Sequence, residues 1–168
     1  MPYPLIRAAA FAIAAASLPA QAAEDCPGCN FASDMLKGAD LSGSDFTGAD
    51  FSGAFLGEAD LSGSRFDQVN FRGALFSGAR MTGCAARQAD FTGALLAGAD
   101  LTGCALAGAD FTGAVLTGAV LADTDLTGAI FATALLTDAV LTGSRGAADF
   151  TGANLCGAQL ADGTTGGC

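Results

Sequence analysis

The sequence predicts an all-β, four-sided solenoid, and three regularities carry that prediction. Large apolar residues recur at every fifth position from Phe31 to Leu141. A small residue sits two positions before most of them, as at Ala39, Ala49, Ala59, Ala79, Ala99 and Ala109. Within the large class, Phe31, Phe51, Phe71, Phe91, Phe111 and Phe131 are spaced by 20 residues and are all Phe.

A period of five fits neither a helix at 3.6 nor a strand at 2. A fixed repeat implies stacked identical units instead. The large series reads Phe31, Leu36, Leu41, Phe46, Phe51, Leu56, Leu61, Phe66, Phe71, Phe76 and Met81, then continues from Phe91 to Leu141; Ala86 is its one gap among 23 positions. Only nine of those 23 are Phe, yet the 20-residue class is filled with Phe throughout. Every fourth unit therefore returns to the same side. Twenty residues per coil would set successive rings about 4.8 Å apart, the spacing of paired strands. The expectation is one continuous aromatic ladder inside the rod, with small partners such as Ser44, Ser64, Cys84, Cys104 and Thr124 keeping the bore narrow.

Units such as Ala39-Asp40-Leu41-Ser42-Gly43 and Ala109-Asp110-Phe111-Thr112-Gly113 resemble the pentapeptide-repeat family, whose unit reads A-(D/N)-(L/F)-(S/T)-G. The resemblance covers residues 31–160. It implies a right-handed quadrilateral β-helix with four pentapeptides per coil, which here makes about six and a half coils. The central Leu or Phe and the small residue before it would point inward, and the other three outward. After Leu141 the next central residue is Phe150, nine positions on, so Ser144 to Ala147 must form a shortened or looped side. Phe150 can still extend the ladder.

The flanks divide the chain further. Residues 1–22 read as a cleavable signal peptide: Arg7, an apolar run from Ala8 to Leu18, and the A-x-A site Ala20-Gln21-Ala22. The run is too short to span a bilayer, which takes about 20 residues. Residues 23–30 read as an N-terminal cysteine cap. Residues 31–160 form the β-helix, with the register break at 142–149, and 161–168 form a C-terminal cap. Losing Arg7 would take the net charge from −10 to −11.

All six cysteines lie beyond the leader, and an even count in an exported chain favours disulfides. Cys26 and Cys29 read as a cap rather than a redox pair, because C-x-x-C redox chemistry wants a helix N-terminus in a βαβ setting. Cys84 and Cys104 share the small inward position one coil apart, close enough for a bridge and equally suited to two buried thiols. By resemblance to exported family members, Cys156 would be tied to the terminal Cys168.

The residue before each central one faces out and can be sorted by side. One side reads Met35, Phe55, Leu75, Leu95, Val115, Leu135 where the family usually carries Asp or Asn. A relaxed repeat could tolerate such residues, but six in succession favour an interface. Val120, Ile130 and Val140 widen the apolar region toward the C-terminal coils. Other sides carry Asp40, Asp60 and Asp100, or Asp50, Asp90 and Asp110, with a belt of Arg65, Arg72, Arg80 and Arg87 around the middle. Stacked carboxylates could attract calcium; they read more simply as solvated repeat letters.

Function is then bounded by exclusion. There is no histidine, no Ser/His/Asp set, no phosphate loop and no metal motif, so no catalytic, cofactor or metal site is expected. The acidic balance argues against direct nucleic-acid binding, and no membrane span is expected after signal cleavage. The reading is a periplasmic or secreted scaffold, non-enzymatic, that self-associates or binds a protein partner through the apolar side. The alternative comes from the resemblance: some family members are acidic dimeric rods that mimic DNA and bind type II topoisomerases.

Overall fold

The computed structural model describes residues 25–168. The leader expected at 1–22, with residues 23 and 24, lies outside the described residues. From Asp25 onward each five-residue unit forms one side of a square coil. Single parallel bridges join each side to the one 20 residues later, from Asn30 with Asp50 through Val120 with Val140.

Four walls result. The first carries the bridges of Asn30, Asp50, Asn70, Asp90, Asp110 and Ile130; the second those of Met35, Phe55, Leu75, Leu95, Val115 and Leu135. The third runs through Asp40, Asp60, Arg80, Asp100, Val120 and Val140, and the fourth through Asp45, Arg65, Ala85, Ala105, Asp125 and Arg145. The hydrogen bonding repeats with the same period. The Phe71 N–H donates to the Asp90 carbonyl at 2.7 Å, and the Asp90 N–H donates back to the Val69 carbonyl at 2.9 Å.

Corners explain the glycine letter. The Ala74 N–H donates to the Phe71 carbonyl at 3.0 Å across a turn whose third residue, Gly73, has φ +64°. That left-handed position suits glycine, as in a type II turn. Among the described residues seven corners place another residue there, including Glu58, Gln68, Gln88 and Asp138, with φ between 56° and 62°.

The bore is filled. The rings of Phe31, Phe51, Phe71, Phe91, Phe111, Phe131 and Phe150 form one column, with successive centroids 4.6–5.4 Å apart. The inner five are fully buried; Phe31 and Phe150, at the ends, are half-buried. Phe46 meets the column edge-on at Phe51 (5.4 Å), and Phe76 does so at Phe71 (5.0 Å). The inward hydroxyls are satisfied, since Ser64 donates to the Leu41 carbonyl and Thr124 to that of Leu121, each at 2.7 Å.

The register break has a local cause. Arg145 still bridges Asp125, but Ile130 bridges Asp149, 19 residues on, so one residue is missing from the corner between them. Gly146 stands where the fourth wall would place its next large side chain. Its φ is +90°, and a Cβ there would collide with the Thr127 backbone. The bore therefore ends in a hollow of about 270 Å³ lined by Leu126, Leu141, Phe150, Leu155 and Leu160. The chain closes over part of it through an antiparallel bridge between Gln159 and Thr165. The N-terminal cap lies in register with the coils: Cys26 is buried at a central position and its N–H donates to the Asp45 carbonyl at 2.8 Å.

Candidate functional site

The second wall places its six apolar side chains one above another on the outside of the rod. Met35 is 66% exposed, Phe55 39%, Leu95 41% and Leu135 44%; Leu75 and Val115 are half-buried. Parallel bridges hold them in one column, and the next residue in it, Asn154, ends the apolar run. The corners on either side carry mostly Gly, Ser, Thr and Ala: Ser52, Thr92 and Thr112 on one edge, and Ser77, Ala97 and Thr117 on the other. Small corners leave the wall flat and open to a broad partner. Charge on its rim is sparse. Lys37 contacts Glu58 at 3.1 Å, and Arg72 reaches over to Asp90 on the first wall at 2.8 Å. Ile130 is 38% exposed, while Val120 and Val140 are half-buried, so the apolar surface turns the corner near the C-terminal coils.

The other three walls carry the carboxylates, whose oxygens are largely occupied by their own corners. The Thr47 N–H and hydroxyl donate to Asp45 Oδ1 at 2.9 and 2.6 Å, and Ser42 binds Asp40 the same way at 3.1 and 2.7 Å. These contacts explain why Asp precedes the central residue and Ser or Thr follows it. Donation from Thr47, helped by Arg65, holds the Asp45 carboxyl below the usual carboxylate range. Thr127 lowers Asp125, Thr151 lowers Asp149 and Thr164 lowers Asp162 by the same bonds. At Asp60 the bond from Ser62 is the largest influence, with Arg80 adding to it. At Asp90 burial pulls upward, but Thr92 and Arg72 together outweigh it.

Each arginine of the belt is paired. Arg80 meets Asp60 at 2.8 Å, Arg65 lies 3.6 Å from Asp45 and 3.8 Å from Asp67, and Arg87 lies 3.6 Å from Asp67. The belt thus bridges stacked acids along the rod. A shallow groove of about 400 Å³ runs beside it, lined by Asp67, Gln68, Arg87, Gln88 and Ala107. No cluster of metal-ligating side chains occurs among the described residues.

All six cysteines are paired at disulfide distance. Cys26 meets Cys29 and Cys156 meets Cys168, with Cα separations of 5.5 and 4.4 Å. Cys84 meets Cys104 across neighbouring coils with Cα atoms 4.6 Å apart, a separation that suits a bridge. Three such pairs suit an oxidising environment. No helix among the described residues is long and apolar enough to cross a membrane.

The model for pentapeptide repeats matches residues 25–63, 56–93 and 94–132, with eight copies. The chain belongs to the pentapeptide-repeat family. Its coil is the family's right-handed quadrilateral β-helix, and pentapeptide-repeat proteins are structural and binding proteins. Among solved structures this pentapeptide-repeat protein is similar to a trypsin-treated variant of QnrB1, described as a plasmid-mediated fluoroquinolone resistance protein. The identity is 26%, the TM-score 0.64, and the match covers 82% of this chain and 70% of that one. Full-length QnrB1 matches at 22% identity with a TM-score of 0.60, covering 83% of each chain, a likeness of fold alone. No curated protein matches significantly.

Two features of this pentapeptide-repeat protein escaped sequence reasoning. The Asp-to-Thr corner bonds were readable in principle, since the two letters co-occur two positions apart. Asp34 occupies the small inward class, half-buried, where the repeat otherwise places Ala, Ser, Cys, Thr or Val. Its place in the five-residue count was the available signal.

Proposed function

We propose that this pentapeptide-repeat protein is an exported scaffold that self-associates or docks a protein partner through its second wall. The observation that carries the reading is the column Met35, Phe55, Leu75, Leu95, Val115 and Leu135, an apolar strip roughly 24 Å long on a chain of net charge −10. The largest continuous apolar patch on a protein surface is often a functional one. Rigid walls favour such a role, because the partner's side chains meet groups already fixed in place and little ordering opposes binding. The paired cysteines and the leader-like N-terminus support work outside the cytoplasm, in the periplasm or beyond the cell.

The test is the double substitution Leu75→Asp with Leu95→Asp in the mature chain. Both positions are outward, so the coil should keep its circular dichroism while association, with itself or with a crosslinked partner, is lost. Unchanged sedimentation and an unchanged crosslinking pattern would end this reading.

A second reading rests on the likeness to QnrB1 and on the net charge of −10. On this reading the acidic rod occupies a type II topoisomerase in place of DNA. Arg65, Arg72, Arg80 and Arg87 interrupt the acid on several walls, which disfavours it. A supercoiling assay with purified mature protein decides: no effect at micromolar concentration removes the topoisomerase reading.

A further inference from the structure

We infer that the partner on the second wall is a second copy of this chain, lying antiparallel, with the two-fold axis passing between Leu75 and Leu95. The inference rests on the proposed docking role of that wall and adds its occupant and register.

Size decides the register first. The six outward residues occupy six equally spaced levels, one coil apart. Turning one copy end over end about that axis sets Met35 against Leu135, Phe55 against Val115 and Leu75 against Leu95. The largest side chain then faces the smallest, and the three kinds of level fill nearly equal depth. Two parallel copies would instead put Phe55 on Phe55 and Val115 on Val115, which holds the walls apart at one level and leaves a gap at another. Well-packed interfaces approach the density of protein interiors, so the even register is favoured.

Charge on the rim points the same way. An antiparallel pair brings the corner row of one copy against the same row of the other, reversed in height. Lys37, at the first level, then faces Asp138, at the sixth. Asp138 is a carboxylate at φ 57°, in a corner position most coils give to Gly, and it has no cationic partner among the described residues. The symmetry makes two Lys37–Asp138 contacts, one at each end of the strip. On the adjoining third wall, Arg80 comes level with Asp100 of the other copy. On the opposite rim Arg72 faces Thr92. A parallel pair sets Lys37 beside Ser33 and Asp138 beside Thr133, with no ion pair.

Area is adequate only when the whole strip is used. The six side chains expose on the order of 400–500 Å² of apolar surface, within the range of functional patches. A stable dimer takes about 800 Å² from each copy, so the flat corners beside the strip must be covered with it. Sliding by one coil would uncover a sixth of the strip at each end and separate Lys37 from Asp138. The pairing is also closed, since each copy uses the same wall, and growth into fibres is avoided.

Analytical ultracentrifugation of the mature protein with charge reversals tests both occupant and register. Wild type should sediment as a dimer. Lys37→Asp and Asp138→Lys should each weaken self-association by roughly tenfold, because each places like charges at both ends. An equimolar mixture of the two variants should regain wild-type affinity as a heterodimer. A wild-type monomer up to high micromolar concentration overturns the inference; if Leu75→Asp with Leu95→Asp then abolishes crosslinking to a different protein, the docking role of the wall stands without it. A dimer whose reversals do not recover on mixing overturns the antiparallel register.

Discussion

The ring of Phe111 lies 4.8 Å from that of Phe131, with planes 1° from parallel, and both side chains are fully buried. Each ring of the inner column thus has an aromatic neighbour above and below, so removing one unpacks two contacts. Phe111→Ala should destabilise the rod by about 3–5 kcal/mol, as large cavities in rigid cores do. Phe111→Leu, closer in volume, should cost under about 2 kcal/mol. Urea unfolding followed by circular dichroism measures both. A loss below 1 kcal/mol for the alanine variant would mean that the walls collapse freely around the vacancy.

Acid should weaken the fold. Asp45, Asp60, Asp90, Asp125, Asp149 and Asp162 titrate below the ordinary carboxylate value in the folded chain. Their contribution is therefore present above the unfolded value of about 4 and is lost as pH falls through the folded values. The melting temperature should stay level between about pH 5 and 8 and drop on the acid side of pH 4. Replacing Thr47, Thr127 and Thr151 with Val should shrink that drop. A melting temperature that rises on acidification would contradict the corner bonds.

Glycine at the corners should matter by conformation and, at one site, by space. A Cβ added to Gly63 meets nothing within 4 Å, yet φ is +68°. Gly63→Ala should cost about 1–2 kcal/mol through the backbone alone. Gly146→Ala should cost more, because its Cβ also strikes the Thr127 backbone. Thermal melts of the two variants rank them; equal losses would show that the short corner relaxes away from Thr127.

The cysteine pairs make a separate prediction. Alkylation of the unfolded, unreduced chain should label none of the six cysteines, and labelling after reduction should reach all of them. Converting Cys156 and Cys168 to Ser should cost up to about 3 kcal/mol and loosen the chain over the hollow at the end of the bore. Protease nicking confined to residues after Leu155 would report that loosening. Unchanged nicking and stability would show that the Gln159–Thr165 bridge alone holds the cap.

The fold was legible because one residue type filled one wall. Phe at every twentieth position gave the number of sides, and the outward letters could then be sorted wall by wall, so the strip from Met35 to Leu135 appeared before any coordinates. Pairings such as Arg80 with Asp60, one coil apart, followed the same count but needed side-chain reach to be settled. The exposure of Met35 could not be read from its letter; it stands highest because the described column has no coil beyond it. Gln68 and Gln88 fall at the glycine letter of the five-residue count, and the backbone angles show that they keep its left-handed corner. The fate of Cys84 and Cys104 was also undecidable from spacing, since a bridge and two thiols fit the same inward slot.

The twenty-residue bridge spacing also makes this chain a ruler with a single safe graduation. Excising 91–110 would shorten the rod by one storey and leave every wall continuous. Excising only 91–95 would rotate everything downstream by a quarter turn, so that Val115 and Leu135 would stack on the first wall's acids and the sticky flank would split in two. Length in such a molecule can change by whole storeys, and only then without rewriting which residues share a side.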